Sequence, residues 1–214
     1  MNLIEFKNLK FKDPRYKNVV FTTKSIKDFT DCYADSLQFA LKSISKDNLE
    51  KALELIQETS NKKGTIYFAG NGGSGALCNH LVGDFIKGTF HEDFPPINAV
   101  SFTENMALLS AISNDYGYEN IFKYQIKTRM KRNDILIAVS SSGNSENIIM
   151  GINEAKHSGF KTIGLSGFDG GILKKISDIS LHLPVNNYGV VEDGHSAILT
   201  IIVQFISNIR DGRN

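Results

Sequence analysis

Short apolar runs recur along the chain after Gly64, each four or five residues long and bounded by Gly, Pro, Asn or Ser. Longer stretches with helical periodicity separate them. Near-continuous apolar strands that alternate with helices are typical of a parallel sheet covered on both faces. The pattern therefore predicts an α/β fold with a doubly wound, five-stranded parallel sheet. The strands are expected at residues 65–69, 97–100, 135–139, 162–165 and 179–183.

Between Ser25 and Lys63 the apolar positions follow the period of a helix instead. Two amphipathic helices are predicted, with Ser45 near the start of the second and Gly64 after its end. The expected apolar face of the first consists of Leu37, Phe39, Ala40 and Ile44, and that of the second of Leu49, Ala52, Leu53 and Ile56. These helices carry no chemical motif, which favours a role in packing or oligomerisation.

The segment before these helices is basic and irregular, with lysines and an arginine scattered among aromatic residues. Such a segment is typical of a solvated arm that packs on the body or on a neighbouring subunit. The total of 214 residues fits one domain. We therefore expect an arm over residues 1–24 and a single domain over 25–214, with N-terminal helices at 25–63 and an α/β core at 64–214.

Charge and composition narrow the function and the compartment. Twenty-four Lys and Arg residues balance 23 Asp and Glu residues, which leaves a net charge of +1. Nucleic acids and anionic membranes attract proteins with an excess of basic residues, so neither partner is expected. No run reaches the roughly 20 apolar residues of a membrane span, and the first residues do not resemble a signal peptide. With only two cysteines, a cytoplasmic protein is expected.

A glycine-rich turn follows the first predicted strand. Residues 70–75 read Gly-Asn-Gly-Gly-Ser-Gly and lead into a predicted helix from Ala76 to about Lys87. Glycines allow backbone N–H groups to face a ligand, and the helix N-terminus adds partial positive charge. The spacing fits neither of the common nucleotide-binding loops. The turn is therefore either an anion site or a ligand-free tight turn.

A serine-rich turn follows the third predicted strand, where residues 140–147 read Ser-Ser-Ser-Gly-Asn-Ser-Glu-Asn before a helix that extends through His157. One of these serines is expected to cap the helix. Four hydroxyls within six residues exceed what capping needs, and they can surround a phosphate without any lysine. A phosphate site is therefore predicted here. The third such turn, residues 166–171, is expected only to reverse the chain and cap a short helix.

At these motifs the sequence resembles the sugar isomerase (SIS) domain family and, within it, the phosphoheptose isomerases. The resemblance spans about residues 30 to 210 and rests on FAGNGGSG, AISNDYGYENIF, AVSSSGNSENI and TIGLSGFDGG, in the order of the family. It implies a flavodoxin-like sheet, a homotetramer and active sites shared between subunits. It also implies that the phosphate is held by Ser74, Ser140, Ser142 and Ser145, with Ser141 nearby and Asn71 supporting the first loop.

The acid–base residues depart from the family pattern. Aldose–ketose isomerisation moves a proton between two carbons through an enediol and needs groups that accept and donate protons. The resemblance places His80 at the family's helix histidine and Asp84 at its catalytic glutamate. It places Glu192 at the family's late glutamine and Thr200 at the late catalytic histidine. Threonine cannot transfer a proton near neutral pH.

Two interpretations of the late segment stay open. In one, Glu192 or His195 is the catalytic partner of Asp84, since Glu192 and His195 lie three residues apart on one helix face. In the other, His195 is a structural residue of the subunit core. Because some family members bind zinc at the equivalent positions, the resemblance also implies an incomplete zinc site of His80, Asp84 and Glu192. Glu104 and Asn105 are expected near the sugar hydroxyls.

The function expected from this resemblance is isomerisation of a sugar phosphate, with sedoheptulose 7-phosphate converted to D-glycero-D-manno-heptose 7-phosphate for surface polysaccharide. The alternative is a non-catalytic SIS module that binds a phosphosugar or a protein partner. Loss of the late histidine favours the alternative, whereas the four serines and His80 favour the enzyme.

Overall fold

All five predicted strands are present and parallel in the computed structural model, which describes residue 21 and residues 24–213. They are β1 (Thr65–Gly70), β2 (Asn98–Ser101), β3 (Ile135–Ser140), β4 (Lys161–Ser166) and β5 (Ile179–His182). Their order in the sheet is β2-β1-β3-β4-β5. This is the flavodoxin-like order of a doubly wound sheet, and it reverses direction between β1 and β3. The predicted fold class is confirmed.

Eight helices cover the two faces of the sheet among the described residues. They are α1 (Ile26–Lys42), α2 (Lys46–Asn61), α3 (Gly72–Lys87), α4 (Met106–Tyr116), α5 (Ile121–Arg129), α6 (Glu146–His157), α7 (Gly171–Ile176) and α8 (Tyr188–Arg210). Helices α1, α2, α3 and α8 pack on one face and helices α4 to α7 on the other. A short 3₁₀ turn over Tyr118–Asn120 connects α4 to α5.

The core consists of two layers because successive strand residues point to opposite faces of the sheet. In β1, Phe68 lies in the layer beneath α3 and α8, whereas Tyr67 lies in the layer beneath α5 and α6. Both side chains are almost entirely buried, and the Tyr67 ring stacks on Phe102 with the ring centres 4.9 Å apart. The strands are thus apolar on both sides, as their continuous apolar runs predict.

The N-terminal helices follow the prediction with two differences. Phe39 is 57% exposed, so it does not belong to the buried face of α1. Gly64 does not provide the left-handed residue after α2, because Lys63 does so with φ of 55°. Gly64 is needed for close approach instead, since a Cβ there would lie 2.1 Å from the Asn133 carbonyl oxygen. Ser45 does cap α2, accepting a hydrogen bond from the Asn48 N–H.

The arm predicted over residues 1–24 falls outside the described residues, apart from Phe21 and Lys24. Phe21 packs edge-on against Phe29 and Tyr33 of α1, with ring centres 5.4 and 6.4 Å apart.

Helix α8 is long and apolar enough to cross a bilayer by length and composition, although sequence inspection predicted no such segment. Half of its most apolar stretch is buried inside the protein. Its residues Ile198, Leu199 and Ile202 lie in the core layer shared with α3. Packing against the sheet therefore accounts for the apolar character of this helix.

Candidate functional site

A cleft of about 320 Å³ opens at the carboxyl edge of the sheet, where the loops after β1 and β3 meet. This is the point at which the strand order reverses, and ligands of doubly wound sheets bind there. The cleft is lined by Asn71, Gly72, Gly73, Ser74, Val139, Ser140, Ser141, Ser142, Ser145, Tyr188 and Glu192. The structure therefore brings the two predicted anion-binding turns together on one site.

The glycine-rich run is the first turn of helix α3 and not a loop before it. The helix begins at Gly72, four residues earlier than predicted, and Asn71 is its N-cap. The first N–H groups of a helix have no partner within the helix. With Gly72 and Gly73 lacking side chains, a ligand can approach these groups closely. Ser74 is buried beneath them and lines the cleft.

The serine-rich loop presents its hydroxyls to the same cleft. Ser145 occupies the N-cap position of α6, yet its side chain makes no capping hydrogen bond and lies 3.1 Å from the Ser140 hydroxyl. The expectation that one of these serines caps the helix is therefore wrong for Ser145. The buried Ser141 hydroxyl has no hydrogen-bond partner. Ser142 accepts a hydrogen bond from the Asn144 N–H at 3.2 Å. Unpartnered buried hydroxyls are costly unless a ligand satisfies them.

Three helix N-termini converge on the cleft. The first residues of α3, the N-cap of α6 and the first residue of α8 all line it. Each N-terminus carries a partial positive charge, and together they favour a bound anion. Within the part of the chain that the structure describes, no lysine or arginine lines the cleft. The site thus suits a phosphate group that is held by neutral donors.

A pair of asparagine side chains joins the two phosphate loops. Asn71 donates to the Asn147 side-chain oxygen and accepts from the Asn147 amide nitrogen, each at 2.8 Å. The Tyr118 hydroxyl also donates to the Asn71 side-chain oxygen at 2.9 Å. Asn147 is 2% exposed. Asn71 therefore supports the first loop, as the family resemblance implies, by tying it to the second.

Helix α8 contributes Glu192, which is the only charged residue among the described residues that line the cleft. A Cβ on Gly73 would lie 3.3 Å from a Glu192 carboxylate oxygen, so the carboxylate rests on the first turn of α3. Partial burial, followed by the neighbouring charge of Asp193, raises the pKa of Glu192. The Asp193 carboxylate itself accepts a 2.7 Å hydrogen bond from the Tyr33 hydroxyl. Glu192 is thus placed to give or take a proton at the cleft.

His80 and Asp84 lie together, but not at this cleft. The His80 Nε2 atom is 3.2 Å from an Asp84 carboxylate oxygen, and the two side chains are 66% and 33% exposed. Asp84 follows Ser74 by ten residues on α3, which corresponds to about 15 Å along the helix axis. Within one chain, the pair therefore faces solvent away from the serine loop.

Thr200 lies at the level of Asp84. Helices α3 and α8 run side by side in the same direction, because Gly73 meets Glu192 near their starts and Gly88 meets Val203 further along. Asp84 and Thr200 each precede this second contact by about one turn. Thr200 is half-buried. Thr200, which the resemblance places at the family's catalytic histidine, thus lies at about the level of Asp84 along the helix axes.

The zinc set predicted from the resemblance is not assembled within one chain. The carboxylate of Glu192, a residue of α8, lies against Gly73 at the start of α3. Asp84 lies about 16 Å from Gly73 along the axis of α3. Among the residues that the structure describes, no three His, Cys, Asp or Glu side chains are grouped closely enough to hold a metal ion. The described residues of a single chain therefore do not fit a zinc ion.

His195 points into the core and does not line the cleft. It is fully buried, and neither ring nitrogen forms a hydrogen bond. Burial lowers the pKa of His195 to about 4, although the Ser166 carbonyl nearby opposes this shift. A neutral imidazole enclosed in this way cannot reach a substrate in the cleft. The position favours the structural interpretation of His195, which leaves Glu192 as the acid–base group of the late segment.

Glu104 and Asn105 have other partners. Glu104 forms an ion pair with Arg129 at 3.2 Å. Asn105 is the N-cap of α4 and accepts a hydrogen bond from the Leu108 N–H at 3.0 Å. Neither residue lines the cleft. The structure of one chain therefore does not place them near the sugar hydroxyls, where they are predicted.

Three residues of the site were missed by sequence reasoning: Asn147, Tyr118 and Tyr188. Asn147 follows the serine motif directly, and its amide could have been paired with Asn71 once the two loops were expected to meet. Tyr188 lies four residues before Glu192, which places both on one face of α8. Tyr118 gave no such signal, because its contact with Asn71 spans 47 positions of the sequence.

With this fold and this site, the chain matches the SIS domain family over residues 29–167 and belongs to it. Its relatives narrow the class further to the phosphoheptose isomerases. The phosphoheptose isomerase of Helicobacter pylori (strain P12) is 32% identical over 174 residues, which cover 81% of this chain and 90% of that protein. The resemblance inferred from the four motifs is confirmed.

Solved structures lead to the same group. The phosphoheptose isomerase of Neisseria gonorrhoeae superposes with a TM-score of 0.77 at 26% identity, covering 85% of this chain and 98% of that one. The phosphoheptose isomerase of Francisella tularensis gives a TM-score of 0.78 at 26% identity, covering 87% and 100%. The whole length of these enzymes is therefore represented in this chain.

Proposed function

We propose that this chain is an aldose–ketose isomerase that converts sedoheptulose 7-phosphate to D-glycero-D-manno-heptose 7-phosphate. The observation that carries the proposal is the cleft itself, in which serine hydroxyls and three helix N-termini surround a space suited to a phosphate. The choice of reaction is supported by membership of the SIS domain family and by similarity to phosphoheptose isomerases. The enzyme would act in the cytoplasm, and its product would supply heptose for surface polysaccharide.

The serine loop would hold the phosphate, with Ser140, Ser142 and Ser145 donating hydrogen bonds and Ser74 adding one from α3. The α3 N-terminus would stabilise the negative charge. Held at its phosphate end, the substrate would extend toward the mouth of the cleft, where Glu192 lies. Fixing one end of the substrate positions its carbonyl for proton transfer.

The reaction then needs two proton movements. A base removes a proton from C1 of the ketose as the carbonyl oxygen on C2 gains one, which gives the enediol. The hydroxyl on C1 next loses its proton as C2 is protonated, which gives the aldose. We assign the carbon-to-carbon transfer to Asp84 and the oxygen protons to Glu192, whose raised pKa keeps a larger fraction protonated.

This assignment requires Asp84 to come from a second subunit, because its own chain places it about 15 Å along α3 from Ser74. The exposed His80–Asp84 pair is available for such a contact. A homotetramer with shared sites, as the family resemblance implies, would bring Asp84 of one chain to the serine loop of another. The proposal therefore includes oligomerisation as a condition of activity.

The test is proton NMR of the purified protein with sedoheptulose 7-phosphate in heavy water. An isomerase gives a new aldose anomeric signal, with deuterium at C2 from exchange of the enediol. Asp84→Asn should abolish turnover while sugar-phosphate binding persists. Repeating the reaction with chelator and with added zinc tests the predicted metal.

Asp93→Asn is the matched control, because Asp93 also lies beside a histidine, with its carboxylate 3.8 Å from His91 Nδ1, and is exposed. It should turn over at the wild-type rate. If Asp84→Asn isomerises as fast as the wild type, the assignment of Asp84 is wrong. Binding without turnover by the wild type would instead indicate the non-catalytic module.

A further inference from the structure

Tyr188, the first residue of α8, lines the cleft. The Tyr188 ring packs against Phe168, with ring centres 4.7 Å apart and planes tilted by 54°. Phe168 belongs to the turn over residues 166–171, between β4 and α7. The turn expected only to reverse the chain therefore touches a residue of the site.

Phe168 holds an unfavourable backbone conformation. Its φ is 52°, in the left-handed region that bulky residues rarely adopt. Glycines occupy nearby positions of the same turn, among them Gly170 and Gly171 with φ of 89° and 55°. A glycine at position 168 would avoid the strain, whereas the phenylalanine brings a ring into contact with Tyr188. Such strain concentrates at functional sites.

The same turn is bonded to the serine loop. The Gly167 N–H donates to the Ser141 carbonyl at 2.8 Å, and the Leu173 N–H donates to the Gly143 carbonyl at 2.9 Å. A Cβ on Gly167 would lie 2.4 Å from the Val191 side chain, so the turn also packs tightly on α8. The turn, the serine loop and the first turn of α8 are thus fixed to one another.

We propose that Tyr188 contacts the carbon chain of the bound sugar phosphate and that Phe168 is a positioning residue that holds the Tyr188 ring. This rests on the proposed function of the cleft. The serines and helix N-termini take the phosphate, and the Glu192 carboxylate repels it, so the sugar lies toward Glu192. Tyr188 lies one turn before Glu192 on the same face of α8. An aromatic ring there can pack against the C–H groups of the sugar.

The first test measures binding of sedoheptulose 7-phosphate and of inorganic phosphate by calorimetry. Tyr188→Ala should weaken binding of the sugar phosphate about 10-fold. Its affinity for inorganic phosphate should stay within about 2-fold of the wild type, because the phosphate contacts are separate. Equal losses for both ligands would mean that the phosphate loop has collapsed, and no loss for either would mean that Tyr188 is not in contact. Both results would overturn the proposal.

The second test separates the Phe168 ring from its backbone. Phe168→Ala and Phe168→Gly both remove the ring, so both should raise KM for sedoheptulose 7-phosphate by a similar factor, about 5-fold, with a smaller change in kcat. The glycine variant should unfold at a higher urea concentration than the alanine variant, because glycine tolerates positive φ. Phe168→Tyr keeps a ring and should restore most of the affinity.

Phe160→Ala is the control, since Phe160 is a half-buried phenylalanine before β4, at the opposite edge of the sheet. It should lower stability without changing KM. If KM of the Phe168 variants follows stability alone, as in Phe160→Ala, the ring has only a structural role and the proposal fails. A wild-type protein that binds sugar phosphate without isomerising it would overturn the proposed reaction, yet the calorimetric test of Tyr188 would still decide this inference.

Discussion

At the scale of single residues, the imidazole of His195 contributes to the pH dependence of the free energy of unfolding. Its ring nitrogens form no hydrogen bond of good geometry, and burial lowers its pKa from 6.5 to about 4, although the nearby Ser166 carbonyl opposes the shift. The unfolded chain therefore takes up a proton at a higher pH than the folded one does. The stability associated with neutral His195 is present above pH 6.5 and is lost as the pH falls toward 4.

We expect the free energy of unfolding to fall by about 2 kcal/mol between pH 7 and pH 5 through this group. His195→Leu, which fills a similar volume without a titrating ring, should remove that part of the pH dependence in urea unfolding. His157→Leu, at an exposed position, should keep the wild-type dependence. Equal pH profiles for the wild type and His195→Leu would contradict the assignment.

Thr200 offers a prediction about rate. It lies at the level of Asp84 along the paired helices, at the position where the family resemblance places a catalytic histidine. Thr200→His adds a group that can transfer protons near neutral pH, so we expect kcat to rise about 10-fold or more and to become bell-shaped in pH. Steady-state kinetics with sedoheptulose 7-phosphate measures this. A rate that falls or stays level would mean that Glu192 already fills the role.

At the scale of secondary structure elements, the Asn71–Asn147 pair couples the β1–α3 loop to the β3–α6 loop. Removal of Asn71 leaves the amide nitrogen of the buried Asn147 without its acceptor, and removal of Asn147 leaves the Asn71 side chain with only the hydrogen bond from Tyr118. The two phosphate loops should therefore respond as one unit.

A double-mutant cycle tests this coupling. Asn71→Ala and Asn147→Ala should each lower the free energy of unfolding, and the double variant should lose less than the sum, by about 1 kcal/mol. Asn48 is the control, because its side chain bonds the Ser180 carbonyl at another edge of the sheet. The losses in the free energy of unfolding caused by Asn48→Ala and by Asn147→Ala should be additive in the double variant. An additive Asn71–Asn147 pair would show that the loops are independent.

The elements differ in how far they could be predicted from sequence. Strands such as Ile135–Ser140 are continuous apolar runs, and buried parallel strands have no other common pattern. The start of α3 was misplaced because Gly73, Ser74 and Gly75 have low helix propensity but belong to the helix under tertiary packing. The Phe39 side chain was misassigned because Leu37 and Ala40 already fill the buried face nearby.

The site was predictable only where it follows the chain. The serine and glycine motifs can be identified in the sequence because each is a contiguous run after a strand. Whether Asp84 and Glu192 lie together is a question of distance between helices, and periodicity within a helix carries no information about it. The same holds for Tyr188 and Phe168, whose contact depends on the packing of α8 against a distant turn.

At the scale of the whole molecule, we expect an apolar groove between α2 and α8 to contact a second copy of the chain. The groove encloses about 180 Å³ and is lined by Leu49, Glu50, Leu53, Ile201, Ile202 and Phe205. Ile201 and Phe205 are each 47% exposed. An apolar groove of this kind on a family whose sites are expected to be shared favours a subunit contact.

Phe205→Glu places a charge in this groove and should shift the protein to smaller species in analytical ultracentrifugation. Isomerase activity should fall with it, since the proposed mechanism takes Asp84 from another subunit. Tyr124→Glu is the control, because Tyr124 is 38% exposed on α5, in the opposite helix layer. An unchanged sedimentation coefficient for Phe205→Glu would exclude the groove as an interface.

The described residues that line the phosphate cleft include no basic side chain. This composition also affects the rate at which a ligand associates. Fixed N–H and O–H dipoles act over a few ångströms, whereas a lysine cluster would extend its field to about one Debye length, roughly 8 Å in physiological salt. With a net charge of +1, the protein adds little long-range attraction of its own. Sugar phosphates should therefore associate without electrostatic steering, and both their association rate and their affinity should change little with ionic strength.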